Sequence, residues 1–421
     1  MKFRHILPFT AAVALAMACS ASDDDTTDTG DTTDTGDTTG MGDTTGETGV
    51  CGDGVLDPGE ACDAPGTGCD AACRLTGATA WTVTLGDPDT STSMFDVAID
   101  RTGQIFVLGE TLRTPGGVPV RTTWLLALDP GGEQRWQTTL PEEERPPMYA
   151  SNLAIDDDGA VFVQRFGVQR VEPDGERGWS VSTADAGLVD IAVADDAVFV
   201  VGSSDQSFAQ RRDLATGELV WQATLDGDDH EVSPAAMVVV DDTVVVACSW
   251  YDGTGGRKCL VSADAATGAP GGLRLFDAAK SFWGPIGALP SGDLMVVVVD
   301  GDGVGSSLRR LTGAGAVVWD IPLEFQEYTG AGVGGLAVGS DETIYLVGDD
   351  GPLEMSHAVV RALSSAGELS WGVDWMPANA ADSLVARRVA AAPGFVVAIG
   401  TESAGPDMFT TTAWIRKIGP S

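Results

Sequence analysis

Histidine is nearly missing from this chain, with three in 421 residues. His5 sits ahead of the first apolar run, which leaves His230 and His357, both in segments that read as loops. No Cys-His or Ser-His-Asp constellation can be assembled from them, so no catalytic residue is assigned. Basic residues are scarce as well, 24 Lys and Arg against 62 Asp and Glu, for a formal charge of −38. Such a surface repels nucleic acid and anionic headgroups, and it favours cations or basic partners. Long apolar runs are absent. The run at 6–18 falls short of the ~20 residues needed to span a bilayer. Phosphate-binding loops are absent too. GAGVGG at 330–335 runs into a strand pattern rather than a helix, and GTGGRK at 253–258 has the wrong spacing.

What is present begins with an export signal at 1–18. Lys2 and Arg4 precede ILPFTAAVALAMA, and cleavage is expected before Cys19. LAMAC at 15–19 resembles a bacterial lipobox, which makes Cys19 the expected lipidation site. Ala16-Met17-Ala18 also satisfies the rule for ordinary secretion, which is the alternative. Export implies an oxidising compartment, where cysteines pair. Four of the seven cluster at Cys51, Cys62, Cys69 and Cys73, and Cys248 and Cys259 form a second group. Cys19 is the one left over, and a thioether to lipid accounts for it. Ser20 at the next position points to the outer membrane by analogy with the sorting rule of enteric bacteria.

Residues 19–50 combine the lipid anchor with a low-complexity tether. DTTDTG at 25–30 repeats at 31–36 and then decays, without an aromatic residue. It cannot build a core and is expected to be disordered, spanning ~30 Å. Residues 51–75 are too few to stabilise themselves by burial, so disulfides must hold them. Three pairings of their four cysteines stay open. CGDG, then PGEACD, then two further cysteines resembles the Myxococcus-type cysteine-rich repeat of myxobacterial surface proteins. Asp53, Asp57, Glu60 and Asp63 offer oxygen ligands for calcium but lack the order of an EF-hand loop. Calcium is therefore the one cofactor left open; the metal question is otherwise undecided.

Residues 76–421 are repetitive. Gly-x-x-x-Trp recurs as GATAW at 77–81, GEQRW at 132–136, GERGW at 175–179 and GELVW at 217–221. GAVVW at 315–319 and GELSW at 367–371 continue it, and GGLRLF at 271–276 fills the gap as a decayed copy. A period of ~40–55 residues means a repeat architecture. Seven apolar hairpins alternate with the phrase, at 96–110, 152–166, 190–204, 236–250, 287–301, 335–349 and 388–402. Their runs are rich in Val, Ile and Phe and nearly continuous, so both faces are expected to be buried. Asp-rich turns such as IDDDG at 155–159 follow from hairpin geometry. Two further strands per unit and no helix signal predict an all-β, seven-bladed β-propeller. The last unit stops after AWIRKI at 413–418, and AWTVTL at 80–85 is the strand left to complete it, closing the ring with the N-terminal outer strand.

The turn-Gly-Trp phrase resembles the repeats of quinoprotein-like (PQQ-like) propellers. That resemblance implies that Trp81, Trp136, Trp179, Trp221, Trp319 and Trp371 pack between blades. Quinone-dependent members are usually larger, with added segments around a cofactor cavity; no such segments occur here, so no quinone cofactor is expected.

Loops after each second strand and between blades share one face. On it fall Trp250 and Tyr251, in a loop bracketed by Cys248 and Cys259, then Phe282 and Trp283 in the next loop, then Phe325 and Tyr328. These six aromatics are the candidate binding residues. Asp226, Asp228, Asp229, Asp300, Asp302, Asp349 and Asp350 join them. The expected function is a monomeric surface lipoprotein whose propeller binds a protein or glycan without catalysis, touching the membrane only through its lipid. Two alternatives are an outer-membrane protein assembly factor and a carbohydrate-active hydrolase or lyase. The latter would use two carboxylates near the channel, a pair the sequence cannot select.

Overall fold

The computed structural model describes residues 62, 69–70, 74–87, 90–114, 118–141, 152–165, 167–183, 187–226, 230–251, 256–276, 280–300, 306–323, 332–351, 356–377, 379, 382–403 and 411–419. The signal, Cys19, the tether, Cys51, Cys73 and the acids at 53, 57, 60 and 63 lie outside them. Among the described residues no helix is long and apolar enough to cross a membrane.

These residues form seven four-stranded antiparallel sheets. β1 (Thr79–Leu85) stands apart at the start. Blade 1 is β2 (Thr90–Ile99), β3 (Ile105–Arg113), β4 (Val120–Leu128) and β5 (Gln134–Thr139). Blade 2 is β6 (Asn152–Ile155), β7 (Val161–Gln164), β8 (Gly167–Val171) and β9 (Arg177–Ser182). Blade 3 is β10 (Gly187–Ala194), β11 (Ala197–Ser203), β12 (Ser207–Asp213) and β13 (Leu219–Thr224). Blade 4 is β14 (Glu231–Val240), β15 (Thr243–Tyr251), β16 (Gly256–Asp264) and β17 (Pro270–Leu275). Blade 5 is β18 (Lys280–Ala288), β19 (Leu294–Asp300), β20 (Ser306–Leu311) and β21 (Val317–Leu323). Blade 6 is β22 (Val333–Val338), β23 (Ile344–Asp350), β24 (His357–Leu363) and β25 (Leu369–Trp375). Blade 7 holds β26 (Ser383–Ala392), β27 (Phe395–Ser403) and β28 (Thr411–Ile418), and its order β1-β28-β27-β26 makes β1 the outer strand.

The first strands of successive blades touch in turn, from β2 through β6, β10, β14, β18 and β22 to β26, and β26 meets β2 again. The seven-bladed ring and its closure by the N-terminal strand are therefore as the repeat implies. Trp81 pairs with Lys417 across the closing sheet. Trp81 Nε1 and Lys417 Nζ both donate to the carbonyl of Pro130 in blade 1, at 3.0 and 3.1 Å.

Burial grades outward from each second strand. Ile105–Leu108 of β3 and Val161–Val163 of β7 are fully enclosed. Burying each such side chain contributes about 1.5–3 kcal/mol. The first strands alternate buried with partly exposed because one side faces the channel, so the expectation of two buried faces holds for the second strand and not the first. The outer strands β5, β9 and β13 cover one face only.

The Gly-x-x-x-Trp phrase joins blades. Trp136 Nε1 donates to Pro173 O at 2.9 Å, Trp179 to Leu214 O at 3.1 Å, Trp221 to Ala265 O at 3.1 Å and Trp319 to Ser365 O at 3.2 Å. Each acceptor lies in the turn before the next blade's outer strand. The Gly of that turn has positive φ, and the ring sits where its side chain would be. A Cβ on Gly217 would lie 2.5 Å from Trp179, one on Gly268 2.7 Å from Trp221, and one on Gly77 2.9 Å from Trp371. Only glycine meets both demands, the left-handed backbone and the missing Cβ. Within a blade, the Trp also stacks on an aromatic of the second strand, as Trp136 on Phe106, Trp179 on Phe162, Trp221 on Phe199 and Trp371 on Tyr345.

Cys62 and Cys69 are disulfide-bonded, with Cα atoms 6.0 Å apart. Both are buried with Leu75 in one cluster that includes Tyr345 of blade 6 and Trp414 and Ile418 of blade 7. This part of the cysteine-rich segment is packed on the propeller.

Candidate functional site

Two regions collect polar or aromatic side chains that the hairpin geometry does not by itself require. The first lines the channel. In six of the seven inner hairpins the first strand carries a register shift, for example Met94/Asp96, Leu188/Asp190 and Ala386/Arg388. Such a bulge re-aims the next side chain. The residues at this level, in blade order, are Asp96, Asn152, Asp190, Ala236, Pro285, Gly335 and Arg388.

The polar members occupy consecutive blades and clasp their neighbours. Asp96 accepts from its neighbour Val97 N at 2.9 Å and from Leu153 N of blade 2 at 2.7 Å. Asn152 Nδ2 donates to Val189 O at 2.7 Å and to Asp190 Oδ1 at 3.2 Å. Asp190 accepts from Ile191 N at 2.9 Å and from Met237 N of blade 4 at 2.7 Å. Arg388 lies 3.7 Å from Asp96 and donates to Gly334 O of blade 6. Burial raises the Asp96 carboxyl above the usual range, against the pull of Arg388. Burial likewise pushes Asp190 up to about 7; its backbone donors and Arg388 oppose this and the Asp96 charge adds to it. Asp96 and Asp190 are channel carboxylates of the kind the sequence could not single out. Both oxygens of each already accept backbone N–H groups, so their first role is to staple blades together. The signal was present as the residue preceding each apolar hairpin, but it varies from blade to blade and does not look like a repeat.

The second region is the rim of blade 4. Cys248 and Cys259 face each other directly in the β15–β16 register and are disulfide-bonded. Both strands continue past the bond, to Tyr251 and from Gly256, so Trp250 and Tyr251 lie on strand ends rather than in the wide loop expected. Trp250 is half-buried, its ring 5.7 Å from His230, and its Nε1–H has no hydrogen-bond partner among the described residues. Tyr251 is 46% exposed. Lys258 Nζ donates to Ser249 Oγ at 2.6 Å, and burial lowers its ammonium to about 8.

The structure moves other residues. Phe282 and Trp283 belong to β18, paired with Val299 and Val298, not to a loop. Gly284 and Pro285 read as a turn in sequence, but the chain absorbs them as a bulge between Trp283 and Ile286. The side chains of Phe282, Trp283 and Asp300 lie outside the described part, as do Phe325, Tyr328, Asp228, Asp229 and Asp302. Asp226 is a staple, accepting from Ser207 N at 2.8 Å and Val232 N at 2.6 Å. His357 opens β24, with Asp350 at 3.8 Å, and His230 directly precedes β14, so neither is a simple loop residue. Among the described residues, no three His, Cys, Asp or Glu side chains converge as a metal site requires.

With this geometry in view, the family match falls on one part of the chain. Residues 121–270, from β4 into β17, match the PQQ_2 family, described as outer membrane protein assembly factor BamB. Over residues 121–270 the propeller's repeats are PQQ-like. Comparison with curated proteins gives no match. Among solved structures, the β-propeller domain of Cps50 (Swd1) from Myceliophteria thermophila aligns with a TM-score of 0.50 at 12% identity, over 80% of this chain and 99% of that one. BamB from Moraxella catarrhalis aligns at 0.41 and 14% identity, over 80% and 97%. The first likeness is one of fold alone.

Proposed function

We propose that this protein is an outer-membrane lipoprotein whose propeller binds a polypeptide partner as a non-catalytic scaffold, and that it serves the assembly of outer-membrane proteins. The observation that carries this reading is the match of residues 121–270 to a family described by that role. Those residues include Cys248, Trp250, Tyr251 and Cys259. A disulfide-backed rim with an exposed Tyr suits a protein contact. Cys19 is the proposed lipidation site, because LAMAC at 15–19 resembles a bacterial lipobox. The 19–50 segment then acts as the tether.

The test is recovery of partners from envelope extract with the Trp250→Ala/Tyr251→Ala double variant against wild type. At least fivefold less recovery of β-barrel outer-membrane proteins is expected, at unchanged far-ultraviolet circular dichroism. Equal recovery, or retention of glycans in place of proteins, would overturn the reading. Cys19→Ser is expected to release the protein from the membrane fraction.

A further inference from the structure

Two fastenings recur around the ring. One is an indole that donates to the turn of the next blade, as Trp136, Trp179, Trp221 and Trp319 do. The other is a channel side chain bonded to a neighbouring blade's first strand, as for Asp96, Asn152, Asp190 and Arg388. Among the described residues, the seam between blades 4 and 5 has neither. At its channel end stand Ala236 and Pro285, whose side chains carry no donor or acceptor. At its outer end, Gly268 closes its turn onto Asp264 as Gly217 does onto Asp213, and four residues on stands Gly272 in place of Trp. The second-strand aromatic that backs the indole, Phe199 in blade 3, is Val245 here. The third-strand cation opposite the indole, Arg211 in blade 3 and Arg310 in blade 5, is Ser262.

Arg274 clasps this turn instead. Its side chain fills the glycine socket, since a Cβ on Gly315 would lie 2.7 Å from its Cδ, and it donates to Ala314 O at 3.1 Å. The two kinds of clasp differ physically. An indole is a rigid plate with two torsions, and its release uncovers a large apolar area. Arg274 is a flexible chain, and its hydrogen bond to a carbonyl can be exchanged for water at little net cost. The first five of the six residues of β17 are exposed, where β13 and β21 alternate. Beside Gly272 lies a groove of about 530 Å³, and a Cβ there meets nothing within 4 Å. Deeper in the seam, Val245, Leu260, Leu294, Val296 and Leu311 pack as one cluster. The outer end can therefore part while the inner core stays closed.

We propose that the seam between blades 4 and 5 is a joint built into the ring, which opens at its outer end when Arg274 leaves the 312–315 turn. The opening is local: β17 parts from the turn of blade 5, and the apolar cluster beneath holds the blades in register. Blade 4 keeps its own integrity, because the Cys248–Cys259 bond ties β15 to β16 next to the joint. The other seams each keep an indole clasp or a channel bond and are expected to stay closed under the same conditions.

The experiment follows amide hydrogen exchange of the native mature chain, read as protection factors at residues 270–276 and 312–316. The reference is the matching pair of segments at an indole-clasped seam, residues 177–182 and 213–217. Protection at the joint is expected to be lower by about tenfold or more. Arg274→Ala is expected to lower it about fivefold further there and to leave the reference segments unchanged. Trp179→Ala is the converse, expected to bring the reference segments down to the level of the joint. Equal protection at the two seams in the wild type would overturn the inference. So would an Arg274→Ala variant that exchanges like the wild type, or whose loss of protection spreads evenly over all seven blades. If Arg274→Ala does not fold, the wild-type comparison and Trp179→Ala decide. No partner is present in these measurements, so they stand or fall apart from the scaffold reading.

Discussion

The ring of Trp371 sits where Gly77 has no side chain, so that a Cβ at residue 77 would lie 2.9 Å from its Cε3 atom. The two residues are nearly three hundred positions apart, and the contact is part of what makes the propeller a closed object. Gly77 also has a φ of 78°, which L side chains rarely adopt. Gly77→Val is expected to destabilise by about 2–4 kcal/mol, combining overpacking with backbone strain. Removal of residues 411–421 is expected to prevent cooperative thermal unfolding, since it takes away the strand that holds β1. Calorimetry checks both; a truncated chain as heat-stable as the full length would contradict this account of closure.

Trp179 joins blades 2 and 3 through Leu214 O and Gly217 and stacks on Phe162 at 5.8 Å. Trp179→Ala is expected to cost about 3 kcal/mol in denaturant titration. Trp179→Phe keeps the stacking and loses the N–H, so it should cost about 1 kcal/mol. A near-zero effect for the Ala variant would remove the clasp from the list of stabilising contacts.

The Cys248–Cys259 bond closes a short loop, and its loss constrains the unfolded chain less. Cys248→Ala/Cys259→Ala is expected to lower stability by about 3 kcal/mol. Both cysteines are buried, so mild reductant should act slowly on the folded protein. Thiol labelling over time reads this; rapid labelling of native protein would show that the seam around β15 opens readily.

Asp190, held up at about 7, binds a proton in the folded state that an unfolded carboxyl releases near 4. Between those values the folded chain holds more protons, so this group's contribution makes stability fall as pH rises through about 4 to 7. Carboxyl carbon NMR should show a midpoint near 7. Arg388 lowers both Asp96 and Asp190, so Arg388→Leu is expected to move both midpoints upward. A downward shift would mean that another cation governs the arc.

The fold was legible because its determinants are periodic. Hairpins of Val and Ile bounded by Asp-Gly turns fix strands and turns, and Asp100 or Asp156 accepting the N–H groups of its own turn is a purely local matter. The extra phrase at 77–81 carried the closure, since one outer strand was left without a blade. The channel arc was not legible. Its members, Asp96, Asn152, Asp190 and Arg388, differ in chemistry from blade to blade, and Asp96, Asp190 and Arg388 follow bulges that hydrophobic patterning does not reveal. The placement of Phe282 and Trp283 failed for a related reason: Gly284-Pro285 is a turn signal locally, and pairing with β19 overrides it. The decayed copy read at 271–276 was out of frame: Gly268 closes its turn onto Asp264 as Gly217 does onto Asp213, so Gly272 takes the Trp position.

In the Gly-x-x-x-Trp phrase the glycine receives the ring of the preceding blade and the tryptophan, four residues later, reaches the following one. Socket and plug thus travel on the same short stretch of chain. A duplicated unit would arrive with both halves of its couplings intact, and a deleted one would leave its neighbours still matched. The number of blades is then not written into the contacts at all. It is left to the curvature of the ring and to where the N-terminal strand meets the C-terminal one.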